Sequence, residues 1–170
     1  MGEGPVSEIL KEREENGPFE SVFDFVRRLD SKAANKKVME SLVLGGGFDR
    51  FEENHRAQYF SRSDKYDTFI EHLLRYGSGF QERVNSTALS LFGEIDDVQM
   101  PEPEFPECPE WSLIEKLERE KEVTGIYVSG HPLDDYKMEV ENFTTCTLED
   151  LENNKGKTVK IAGIVTRSQP

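Results

Sequence analysis

Two pairs of adjacent carboxylates, Asp96-Asp97 and Asp134-Asp135, are the residues of this chain that come nearest to metal-dependent chemistry. Nucleotidyl or phosphoryl transfer needs carboxylates that hold two metal ions. Neither pair has company for that task. Asp96-Asp97 lies in a proline-rich acidic stretch, and Asp134-Asp135 follows the His131-Pro132 turn, so both read as solvated turn acids. A nuclease built on Asp134 and Asp135 is the alternative. His55, His72 and His131 are scattered, and His131 before Pro132 reads as a turn residue whose ring packs or caps locally. Cys108 and Cys146 form no C-x-x-C and have no neighbouring histidine, so nothing suggests a zinc site or a disulfide framework, and the reading is reduced thiols in a cytoplasmic protein. No catalytic residue, metal ligand or cofactor is expected. The chemistry that remains is phosphate binding. Gly2-Glu3-Gly4 ahead of a helix reads either as half of a phosphate-binding hairpin with the preceding helix missing, as though the chain begins inside a motif, or as a flexible N-terminus. The stretch Gly17–Asp49 offers a second hairpin.

The elements that would position these groups are amphipathic helices. Val22, Phe25, Val26 and Leu29 recur at i, i+3, i+4 and i+7, with Ser21 as N-cap and Asp24 completing a short capping box. Val38, Met39, Leu42 and Val43 form the next stripe, with Asn35 as N-cap and Gly45-Gly46-Gly47 as the stop. Helix, short connection and helix fit two roles. The pair can pack its stripes into a core, or it can turn helix N-termini to phosphates. Before it, Pro5 opens a helix over PVSEILKEREEN. After it, a long helix is expected from about Glu53 to Tyr76, weakened or bent at Ser61-Arg62-Ser63-Asp64 and ended by Gly77-Ser78-Gly79.

The charge is uneven. The formal net charge is −13, and residues 81–110 hold eight acidic residues against one basic residue, with Pro101, Pro103, Pro106 and Pro109. This reads as a solvated, extended linker. An acidic chain is a poor autonomous nucleic-acid binder, so any DNA contact must be local and weak. Within the linker stands one apolar island, Ala88-Leu89-Ser90-Leu91-Phe92. It either packs back on its own domain or docks in a partner's groove. A further helix is expected from Trp111 to Val128, its stripe interrupted by Glu120 and Lys121. A short helix is expected over Leu133–Phe143 and a turn over Thr147–Leu151. Alternation over Thr158–Thr166 predicts one strand, the first of a domain that does not complete itself here. No apolar run is long enough for a signal peptide or membrane span.

Five stretches, in this order, resemble the α subunit of bacterial DNA polymerase III in the part after its catalytic region. They are GEGPVSEILKEREENGPFESVFDFVRRLD, NKKVMESLVLGGGFD, ALSLFG, EREKEVTGIYVSGHPLDDY and VKIAGIVT. The resemblance covers nearly the whole chain. It implies a mainly α fold with four parts. Residues 1–80 are a helical domain with a tandem helix-hairpin-helix element, its first copy truncated. Residues 81–110 are the acidic linker, 111–156 a helical connector, and 157–170 the opening strand of an oligonucleotide-binding (OB) barrel.

The resemblance also implies non-specific contact with duplex DNA through Gly2 and Gly4 in the first hairpin and Ser31, Lys32, Asn35, Lys36 and Lys37 in the second. The second hairpin lacks the Gly-x-Gly of a standard phosphate-binding turn. Ala88, Leu89, Ser90, Leu91 and Phe92 sit where the family carries its sliding-clamp (β subunit) peptide. There Leu91 and Phe92 would fill the clamp pocket, and Ala88 stands where glutamine is expected. Other polymerase III holoenzyme subunits follow as partners of the parent protein. The catalytic aspartates and their Mg²⁺ are implied upstream, in the parent polymerase. The alternative is a purely structural helical scaffold that touches neither DNA nor clamp.

Overall fold

The computed structural model describes residues 2–51, 54–63, 65–89 and 100–165, which are mainly helical. The chain divides into two compact units, Met1–Ser112 and Leu113–Pro170.

In the first unit, α1 spans Glu3–Asn16, α2 Val22–Arg28, α3 Lys36–Leu44, α4 Arg56–Phe60 and α5 Phe69–Leu89. The start of α2 is capped as its sequence requires. Ser21 Oγ accepts from the Asp24 amide at 3.0 Å, and the Asp24 carboxylate accepts from the Glu20 amide at 3.1 Å. Asn35 caps α3 by accepting from the Val38 amide at 3.1 Å. The glycine triplet ends α3 in a Schellman turn. Gly46, at φ +80°, donates to the Val43 carbonyl, and Gly47 donates to the Leu42 carbonyl at 2.7 Å. Both apolar stripes face inward: Val22, Phe25, Val26, Leu29, Met39 and Val43 are buried together with Phe69, Ile70, Leu73 and Tyr76 of α5. Full burial of a side chain of this size contributes roughly 1.5–3 kcal/mol.

The expected helix from Glu53 to Tyr76 is two helices. Between them Ser63 and Tyr66 exchange backbone hydrogen bonds as an isolated bridge, and the Phe69 amide donates to the Ser61 carbonyl at 2.9 Å. Gly77-Ser78-Gly79 does not stop α5, which runs on to Leu89. The reason is packing. A Cβ on Gly77 would fall on the Val26 carbonyl, and one on Gly79 would press on the Met100 methyl. Here glycine permits close approach instead of ending a helix. Residues 100–112 are without helix, as their prolines require, but they lie on the core. Phe105 stacks within 4.3 Å of Phe69 and 5.2 Å of Tyr59 (ring centroids), Gln58 donates to the Pro106 carbonyl at 3.1 Å, and Trp111 lies 5.5 Å from Phe60. Apolar side chains, not proline and charge, decide where this segment sits. Ser90, Leu91 and Phe92 of the apolar island, with Asp96-Asp97, lie outside the described residues. Ala88 and Leu89 end α5.

In the second unit, α6 spans Leu113–Thr124 and α7 Lys137–Phe143, with 3-10 turns over Asp134–Tyr136 and Glu149–Asn154. Glu120, which seemed to interrupt a stripe, is fully buried. Its carboxylate accepts from the amides of Val128 and Ser129 at 2.7 and 2.8 Å and from the Ser129 hydroxyl, closing the loop that follows Gly125. The expected strand over 158–166, and with it the OB barrel's opening strand, is not seen: among the described residues, which end at Val165, there is no strand. Lys160 exchanges hydrogen bonds with Thr145, its carbonyl accepting from the Thr145 amide at 2.8 Å, but no ladder extends from that pair. Alternation alone does not make a strand without a row of backbone partners.

Candidate nucleic-acid interface

The connection between α2 and α3, residues 29–35, is built by Asp30. Its Oδ1 accepts from the amides of Lys32 and Ala33 at 2.9 and 3.0 Å, and its carbonyl accepts from Ala34 at 2.7 Å. Ala33 and Ala34 are buried. Three amides that could have met a phosphate are therefore used inside the turn. Asn35 is used as well: its amide donates to the Lys32 carbonyl while its oxygen caps α3. The amides of Lys36 and Lys37 in the first turn of α3 are left without an intrahelical acceptor.

Ser31, Lys32, Lys36 and Lys37 are exposed around this turn. They do not share one condition. The Lys36 ammonium lies 2.6 Å from the Glu71 carboxylate of α5. That hydrogen bond, then the charge of Glu71, holds the Lys36 pKa above its usual value. Lys32 and Lys37 carry no ion pair among the described residues. Gly2 is the N-cap of α1 and Gly4 lies in its first turn. Neither glycine has positive φ, so they open a helix instead of forming a tight turn.

The other cations of this region are structural. The Arg28 guanidinium bonds Glu12 and Asp24 and the carbonyls of Glu12 and Gly17, which pins α1 to α2. Burial opposes its charge, but the two carboxylates outweigh that and hold its pKa above the usual value. Arg56, 6% exposed, pairs with Asp49 and donates to the Leu44 carbonyl at the end of α3. Arg27 reaches Glu102 at 3.0 Å. Asp30 was missed in the sequence, although an aspartate ahead of Ser-Lys is an Asx-turn signal. Glu71 had no local signal, because it meets Lys36 from 35 residues away.

Of the two carboxylate pairs considered for metal binding, only Asp134-Asp135 lies among the described residues. Asp134 accepts from the His131 amide at 2.6 Å, and His131 Nδ1 accepts from the Leu133 amide at 3.2 Å, so both serve the turn. Among the described residues no three His, Cys, Asp or Glu side chains could hold a metal ion together. Cys108 and Cys146 are free thiols. No helix there is long and apolar enough to cross a membrane.

Comparison with known proteins gives this arrangement relatives. A family model described as a helix-hairpin-helix motif matches residues 1–59. The chain is 33% identical to the DNA polymerase III subunit alpha of Vibrio cholerae over 97% of its length, covering 14% of that protein. It is 38% identical to the subunit of the same name from Thermus aquaticus over 89% of its length, covering 11% of that protein. It is 28% identical to that of Escherichia coli K12 over 99%, again covering 14%. The chain thus matches about one-seventh or less of each relative's length.

Proposed function

The chain belongs to the DNA polymerase III α-subunit family, and on that premise we propose that it is the part of a replicative polymerase that holds duplex DNA and the sliding clamp. Polymerisation itself, with its Mg²⁺, is assigned to the rest of such a polymerase, of whose length this chain matches about one-seventh. The observation that carries the DNA reading is the exposed rim at the N-terminus of α3. Ser31, Lys32 and Lys37 stand beside two amides that have no intrahelical acceptor. Gly2 and Gly4 add the first-turn amides of α1 as a second point of phosphate contact. Such contacts are blind to sequence, which suits a protein that moves along DNA. Clamp attachment is assigned to Ala88–Phe92 on the strength of Leu91 and Phe92, and other polymerase subunits join through the parent chain.

A second reading, a scaffold without DNA contact, has its own support. The amides of Lys32, Ala33 and Ala34 are used within the hairpin, and Lys36 is paired. Fluorescence anisotropy of the full chain with labelled duplex DNA separates the two. The expected dissociation constant at low salt is about 10⁻⁴–10⁻⁶ M, independent of sequence. The double change Lys32→Ala, Lys37→Ala should weaken it several-fold. Equal affinity in that variant would favour the scaffold.

A further inference from the structure

Lys36 sits at the first position of α3, between the two cations assigned to DNA, yet its ammonium faces a carboxylate of the same molecule. Glu71 Oε1 lies 2.6 Å from Lys36 Nζ, delivered by α5, which packs against α3. The pair is at the surface, with Lys36 51% and Glu71 32% exposed. Glu40 and Asp67 add further negative charge around the same ammonium. A surface pair of this kind contributes little to stability, because solvent screens it. The helices beneath are held by Met39, Val43, Phe69 and Ile70, which are buried. The fold therefore does not depend on the pair. To an ammonium, a carboxylate and a phosphate oxygen are ligands of one kind, both charge-assisted acceptors.

We propose that Glu71 is an internal stand-in for a DNA phosphate, occupying Lys36 until a backbone phosphate displaces it and so holding down the affinity of the hairpin for duplex. This rests on the reading of the hairpin as a DNA contact and adds its regulation. A phosphate that enters must replace Glu71 and then sit near its carboxylate, so Lys36 adds little to binding in the native chain. Without the carboxylate, Lys36 joins Lys32 and Lys37 as a further phosphate contact.

The test is a two-by-two series of Glu71→Gln and Lys36→Ala in the full chain, titrated with duplex DNA across a range of salt. Thermal melts accompany it to check that each variant folds. Glu71→Gln should tighten binding by roughly three- to ten-fold and steepen the slope of log affinity against log salt by about 0.9, one more phosphate. Lys36→Ala alone should change affinity less than about two-fold, and combined with Glu71→Gln it should erase the gain. A gain that survives in the double variant would show a general effect of removing negative charge and would overturn the proposal. No gain in Glu71→Gln, while Lys32→Ala with Lys37→Ala still weakens binding, would overturn it too and leave the DNA reading standing. If the Lys32 and Lys37 changes also have no effect, the DNA reading fails and this inference goes with it.

Discussion

Tyr59 carries an uncomfortable polar group in the first unit. Its ring packs between Phe48 and Phe105, at centroid distances of 6.0 and 5.2 Å, and its hydroxyl is buried without a hydrogen-bond partner among the described residues. Burial, with the charge of Asp49 added, pushes its pKa well above the ordinary tyrosine value. The folded chain therefore holds this proton more tightly than the unfolded chain, where tyrosine titrates near 10 (about). The associated stability is fully present below about pH 10 and is lost as pH rises beyond it, by up to about 1.4 kcal/mol per pH unit. Tyr59→Phe should be as stable as the native chain at pH 7, or better by up to about 1 kcal/mol, since it deletes an unsatisfied hydroxyl. It should also lose that alkaline slope. Urea melts at pH 7, 9.5 and 10.5 read both effects, and an unchanged slope would show that the hydroxyl is satisfied in solution. Arg56 makes the contrast: as deeply buried, but answered by Asp49 and the Leu44 carbonyl. Neither condition could be read from the sequence, because each depends on which distant groups arrive beside the side chain.

At the scale of elements, the contact between α2 and α5 turns on one missing Cβ. Gly77→Ala would place a methyl on the Val26 backbone, which cannot swing aside as a side-chain tip can, and should cost about 1–3 kcal/mol. Gly4→Ala is the control. Gly4 is helical and a Cβ there meets nothing within 4 Å, so alanine should stabilise by roughly 0.5–1 kcal/mol. Thermal or urea melts of the two variants should move in opposite directions, and equal shifts would refute the close-approach account. The same residue type at Gly77 and at Gly46 explains what could be read in advance. At Gly46 the requirement is local, a positive φ after an amphipathic stripe, and the stop was legible. At Gly77 the requirement comes from a helix fifty residues earlier in the chain, roughly, and a local reading took it for a stop. The stripes of α2 and α3 and their caps were equally local and equally legible. Glu120 and the 158–166 segment were not, because a buried carboxylate needs the amides of a later loop and a strand needs a partner row. In the candidate site, Lys32 and Lys37 were visible as cations, whereas the occupation of Lys36 by Glu71 was not.

For the whole molecule, a net charge of −13 sets the terms on which two proposed contacts can coexist. The DNA contact draws on a few phosphates, and its affinity must fall with salt. Three such contacts give a log–log slope near −2.7 (about), which is a loss of roughly forty-fold between 50 and 200 mM salt. The clamp contact draws on Leu91 and Phe92, side chains whose burial is worth about 1.5–3 kcal/mol each and does not depend on counterions. The two activities of the full chain should therefore separate on a salt axis. At 200 mM salt duplex binding should be nearly lost while binding to the sliding clamp persists. Phe92→Ala should do the reverse, weakening clamp binding by roughly ten-fold or more and leaving duplex affinity within about two-fold. Calorimetric titration of the chain against clamp, and anisotropy against duplex, at 50 and 200 mM salt measure all four combinations. Clamp binding that survives Phe92→Ala, or that collapses with salt as DNA binding does, would remove the apolar peptide from the account and leave charge as the only source of attachment.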